Sequence, residues 1–197
     1  MKIHSINLTH VFHRTRSIIL NPKAEWDIIA QKEQNKKELY LNYALPLISI
    51  CSLLAFSGIL INYSDLTHAL SQMLIVFLSL SGGLFLAATI IKELAPNFNG
   101  SKNENRNFML VIYAASIFCI FHSAANMFSL FSFFRQLFLL VELYFIRLFW
   151  LGISPLLQMP ENKKAGFTLI SALIILIIPL ILERMLSILF NVPIVSI

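Results

Sequence analysis

ALSQMLIVFLSLSGGLFLAATII, residues 69–91, contains no acidic or basic side chain. A helix rises about 1.5 Å per residue, so this stretch reaches across the roughly 30 Å hydrocarbon core of a bilayer, and a helix satisfies its own backbone there. Four further stretches have the same character: Asn42 to Ile61, Phe108 to Leu130, Gln136 to Leu157 and Gly166 to Phe190. The third and fourth are separated only by a Ser-Phe-Phe-Arg turn. Fused, they would make a bent hairpin, but the combined run is far too long for one span. The expected fold is therefore all-α, a five-helix integral membrane bundle.

Composition points the same way. Apolar residues make up 57% of the chain and charged residues only 13%, more grease and less charge than a water-soluble globule of 197 residues carries. The formal net charge of +5 raises the question of nucleic acid. However, the basic residues crowd the first 40 positions and the short links between apolar runs, which is the pattern of membrane topology, so no nucleic-acid partner is expected. Lys2, Arg14, Arg16, Lys23, Lys32, Lys36 and Lys37 precede the first span; Lys92, Lys102 and Arg106 follow the second; Lys163 and Lys164 follow the fourth. On the opposite side only Arg135 appears. That imbalance predicts an amino terminus in the cytoplasm and a short tail, 191–197, on the far side.

Residues 1–40 are expected to form a cytoplasmic segment and residues 41–190 the membrane domain. His4, His10, His13, Arg14 and Arg16 interrupt any apolar core of a cleavable signal peptide. Asn21-Pro22 has the form of a helix cap and first helical position, with Glu25 and Asp27 suited to the positive end of the dipole. Trp26, Ile29 and Ala30 then share a face opposite Lys32 and Lys36. Two readings are open: an amphipathic helix with Trp26 and Ile29 at the headgroup interface, or a solvated connector packed on the membrane domain.

Motifs that carry chemistry are missing. There is no glycine-rich phosphate loop, no Gly-x-Ser-x-Gly elbow, no His-Glu-x-x-His and no zinc-ligand spacing, so no cofactor or metal is expected. Cys51 and Cys119 lie inside apolar runs, where a buried thiol is ordinary. Ser123 adjoins His122 but points about 100° away around a helix, which argues against a nucleophile–base pair. Ser79, Gly82, Gly83 and Ala87 form a small-residue ridge suited to close helix packing.

Polar residues within the last three spans are the informative feature: His122, Asn126, Glu142, Arg147, Glu183 and Arg184. Ionisable groups at bilayer depth are costly and usually face the bundle interior in pairs. Counted from the outer ends at about 1.5 Å per residue, Glu142 and Glu183 lie about 10 Å deep, His122 about 13 Å and Arg147 about 16 Å. Side chains tilt toward the helix amino end, so Arg147 and Glu183, on antiparallel spans, lean toward each other. The sequence predicts an Arg147–Glu183 pair, with Glu142 meeting Arg184 or His122, and a kink at Pro179. Such a cluster either glues the helices together or lines a path for a proton, ion or small molecule.

The order of elements also resembles a known family. Asn21-Pro-Lys-Ala-Glu-Trp26, then Asp27-Ile-Ile-Ala30, a charged stretch and Leu45-Pro46-Leu47 are similar to the start of the Yip (Ypt-interacting-protein) membrane domain. Leu151-Gly152-Ile153, the basic Lys163-Lys164-Ala165 loop and a last span resemble its end. The likeness begins near residue 12 and implies a cytoplasmic amino terminus, five membrane helices and no enzymatic activity. Eukaryotic relatives bind Rab-type GTPases, but the Asp-Leu-x-Gly-Pro-Leu motif and long cytoplasmic tail of those relatives are missing here, and GTPase binding is not carried over. The chain looks more like the short bacterial branch, which implies a bacterial inner membrane. Its partners are then expected to be the lipid bilayer and other integral membrane proteins, with a role as scaffold or accessory subunit. The alternative is a small transporter or channel using the polar set around Arg147.

Overall fold

The computed structural model describes residues 8–32 and 34–192. Two short helices lead, α1 (Leu8–Leu20) and α2 (Pro22–Gln31). A third, α3 (Lys36–Leu39), runs through a widened turn at Tyr40–Ala44 into α4 (Leu45–Tyr63). The widening has a local cause. Pro46 has no N–H to give the carbonyl of Asn42, and the Leu45 N–H instead reaches back to the Tyr40 carbonyl.

At the far end of α4, Ser64 takes a left-handed conformation (φ 54°), and the Asp65 side chain then accepts the His68 N–H at 3.0 Å, capping α5 (Leu66–Leu94). A tight 3₁₀ turn at Ala95–Phe98 follows, and Asn103 caps α6 (Glu104–Met127) by accepting the Arg106 N–H. After a turn at 128–131 come α7 (Ser132–Glu142), α8 (Tyr144–Leu157) and α9 (Glu161–Leu189).

Among the described residues, five helical stretches are long and apolar enough to cross a membrane: Lys36–Tyr63, Leu66–Phe98, Glu104–Met127, Ser132–Leu157 and Glu161–Leu189. Each helical stretch starts before its predicted span, and at α3, α5 and α6 a polar cap, Asn35, Asp65 and Asn103, marks the start. Among the spans, α6 is the axle: its apolar window is 83% buried, against 33% for each of the last two spans. It touches α4, α5, α7 and α8, while α9 rests mainly on α5. Glycine permits two close approaches of backbone to backbone. A Cβ on Gly58 would lie 2.4 Å from the Met127 Cα, and one on Gly83 would lie 2.7 Å from the Pro179 Cα. Ser79 and Ala87 are buried on the same face as Gly83. Gly82 is looser, with Leu182 Cδ1 the nearest atom at 3.8 Å from its Cβ position.

One end of the bundle is laced with charge. Lys36 meets Glu104 at 2.6 Å and Lys92 meets Glu104 at 3.9 Å, which ties α3, α5 and α6 together, while Lys102 in the link before α6 meets Glu93 at 2.7 Å. Arg106 donates to the Leu156 carbonyl, and Lys164 sits over the Trp150 ring at 4.9 Å. This is the basic end.

The structure adds a detail to the fourth span and corrects the interfacial reading of Trp26 and Ile29. The fourth span is broken: α7 ends at Glu142, the chain makes a tighter turn at Leu143 (φ −62°, ψ −12°), and α8 starts at Tyr144. Trp26 and Ile29 do not face headgroups; they are 1% and 2% exposed. Trp26 Nε1 donates to the Leu148 carbonyl at 3.0 Å, and its ring fills a slot that a side chain on Gly152 would block. The amphipathic face of α2 is thus spent on α8. Arg14 of α1 pairs with Glu25 of α2, and Thr15 shares a hydrogen bond with the Tyr43 hydroxyl. Pro179 lies inside α9, which continues as one helix through Leu189.

Candidate functional site

The polar set gathers at the end opposite the basic one. Gln72 is six residues into α5, His122 five from the end of α6 and Glu183 six from the end of α9, so each lies about 8–9 Å inside its helix end. These positions put three helices' polar groups at one level.

His122 is the centre. Its ring stacks on Phe118 with centroids 5.4 Å apart, which fixes the imidazole plane. Nε2 lies 3.1 Å from Glu183 Oε2, and facing a carboxylate it is the donor. Nδ1 points the other way, 3.5 Å from Glu142 Oε2, an ion-pair distance without hydrogen-bond geometry. Glu183 also accepts from Gln72 Nε2 at 3.3 Å. Glu183 thereby has both oxygens engaged and joins α5, α6 and α9.

These groups border a cavity of about 230 Å³. Gln72 comes from α5, and His122 and Asn126 from α6. Arg135, Leu139 and Glu142 come from α7, and Leu180, Glu183, Arg184 and Ser187 from α9. The cavity exists because two neighbours diverge. At the basic end α8 and α9 pack together, with Phe149 and Phe167 rings 5.8 Å apart. Beyond the break at Leu143, α7 leans on α6 and makes no comparable contact with α9 among the described residues. A cleft between α7 and α9 is left.

Its walls are not satisfied. Gln72 Oε1, His122 Nδ1, Asn126 Nδ2 and Glu142 Oε2 are all buried without a hydrogen-bond partner. Their residues are 3%, 8%, 8% and 6% exposed. Leaving such a group unpaired costs about 1–3 kcal/mol, more if it is charged. Four around one space mark it as the site of something that supplies partners. Arg184 lines the cavity with no carboxylate within ion-pair distance among the described residues.

The structure thus brings together His122, Asn126, Glu142, Glu183 and Arg184. Arg147 is left out: it is exposed on α8, with its guanidinium 5.6 Å from the Tyr144 ring. The Arg147–Glu183 pair does not form. Arg147 follows Glu142 by five residues, about 140° around a helix, and past the break at Leu143 α8 packs mainly on α2 and α6, meeting α9 at the basic end and not at the level of Glu183. Gln72 and Arg135 belong to the site although the sequence reading did not include them. Gln72 is legible as the single amide in the charge-free stretch 69–91, while Arg135 falls in the Ser-Phe-Phe-Arg stretch that reads as a turn.

Among known families, the chain matches the Yip1 domain over residues 16–182. Comparison with curated proteins and with solved structures finds no match.

Proposed function

We propose, from the premise that this chain belongs to the Yip1-domain family, that it is a non-catalytic protein of a bacterial inner membrane that works by association, as a scaffold or accessory subunit. The cleft between α7 and α9 is where it associates. The amino-terminal helices and the basic end face the cytoplasm, following the lysine and arginine distribution. The cleft then opens toward the other side. The observation that carries the reading is the ring of four buried polar atoms, none with a hydrogen-bond partner, around a cavity in a membrane bundle. Interhelical glue has no need of such a ring, because glue satisfies its own hydrogen bonds.

A photo-crosslinking residue at Leu139, on the cleft wall, tests this in native membranes against the same residue at Leu74, exposed on α5. A discrete adduct from position 139 and only diffuse background from position 74 is the expected result. Equal labelling at both contradicts the reading. The second reading, a small transporter, is favoured by the Glu142–His122–Glu183 chain, which could pass protons. It requires the tight Gly83–Pro179 crossing to open, so a cross-link across that crossing separates the two: transport stops, association continues.

A further inference from the structure

We infer that the cleft binds a zwitterion with a primary ammonium and a phosphodiester, the chemistry of a phosphatidylethanolamine headgroup, and that the lipid itself is the occupant. The inference rests on the cleft being the site of association and adds what it takes.

The wall chemistry selects the ligand. Gln72 Oε1 and Glu142 Oε2 are acceptors without a hydrogen-bond donor, the nearest nitrogen to Glu142 being His122 Nδ1 at 3.5 Å without hydrogen-bond geometry. Asn126 Nδ2 is a buried donor without a hydrogen-bond partner, and the half-buried guanidinium of Arg184, with that of Arg135 on the same cavity, adds positive charge suited to an anionic oxygen. An anion alone would leave the two acceptors orphaned. A cation alone would leave the amide and the arginine. One molecule with an N–H-bearing ammonium at one end and a phosphate at the other answers both halves, and a quaternary ammonium, having no N–H, does not.

Size and place select the source. A cavity of about 230 Å³ suits a headgroup and not a headgroup with its acyl chains. The chains have a way out, because the missing contact is between α7 and α9, two spans whose apolar windows are only 33% buried. Phe134 and Leu137 on α7 and Ile181 and Met185 on α9 are exposed apolar residues at that level. A lipid enters sideways with its tails left among its neighbours.

The experiment uses the purified full-length protein in detergent. Thermal unfolding is followed with chain-matched phosphatidylethanolamine, phosphatidylcholine or phosphatidylglycerol added, and bound lipid is counted by native mass spectrometry. The ethanolamine lipid should protect at a concentration at least tenfold lower than the other two and persist as a one-to-one adduct. Glu142→Gln and Arg184→Gln should each erase most of that preference while helicity is unchanged. Equal protection by all three lipids on the unaltered protein overturns the inference, whether or not the variants fold. Glycerophosphoethanolamine, which lacks the acyl chains, separates the sources: it should fail to protect where the lipid does, and protection equal to the lipid's would overturn the lipid as occupant. Selective crosslinking at position 139 with no headgroup preference would defeat this inference and leave the association reading standing.

Discussion

Alanine at Gly83 and at Gly82 should have opposite effects, although the residues are neighbours. Each substitution gains about 1 kcal/mol of helix propensity, so that contribution cancels in the comparison. What remains is contact. At Gly82 the new Cβ meets only Leu182 Cδ1 at 3.8 Å, ordinary van der Waals distance. At Gly83 it would lie 2.7 Å from Pro179 Cα and 2.9 Å from Pro179 Cγ, atoms of a ring and backbone that cannot rotate away. Relief requires α5 and α9 to separate, an overpacking cost of about 1–3 kcal/mol. For a chain of this size a difference of about 2 kcal/mol corresponds to roughly 4–8 °C in Tm. Cys51 and Cys119 are free and buried, so a thiol-reactive dye reports unfolding in detergent without any added label. Gly82→Ala should match or exceed the unaltered protein, and Gly83→Ala should melt below it. Equal melting of the two variants would refute the α5–α9 crossing.

Other substitutions probe separate parts of the architecture. Trp26→Ala should cost about 3–5 kcal/mol, read as a lowered Tm, since a fully buried ring is removed from its slot against Gly152. Arg14→Leu or Glu25→Leu alone should destabilise by about 3–5 kcal/mol, whereas the double change should be far milder because no unpaired buried charge remains. Arg147→Leu and Glu183→Leu should be additive within about 0.5 kcal/mol in a thermal double-mutant cycle, while His122→Leu and Glu183→Leu should couple by about 0.5–3 kcal/mol. Cysteines at Ser64 and Lys102, in a background without the native thiols, should react with an impermeant reagent from opposite faces of the membrane, position 64 from outside intact cells.

The five spans were legible in the sequence because bilayer thickness demands long apolar runs, and no tertiary contact can shorten that demand. The break at Leu143 was not. It carries neither proline nor glycine, and it depends on α7 packing against α6 while α8 packs against α2. Trp26 has the composition of an interfacial anchor, and its burial depends on Gly152, a partner far away in the chain that only the folded bundle brings near. Depth arithmetic sufficed to bring His122, Glu142 and Glu183 to one level, because rise per residue is fixed. Depth says nothing of rotation about the axis. Arg147 therefore joined the cluster on paper and faces outward in the structure, while Gln72, a single amide on the second span, supplies a wall of the cavity.

A density map of the protein in a lipid nanodisc containing phosphatidylethanolamine tests the central claim most directly. The cleft should remain open between α7 and α9, with non-protein density reaching Gln72, Asn126, Glu142 and Arg184. A map in which α7 has closed onto α9, with those side chains bonded to one another and no space between, would contradict it.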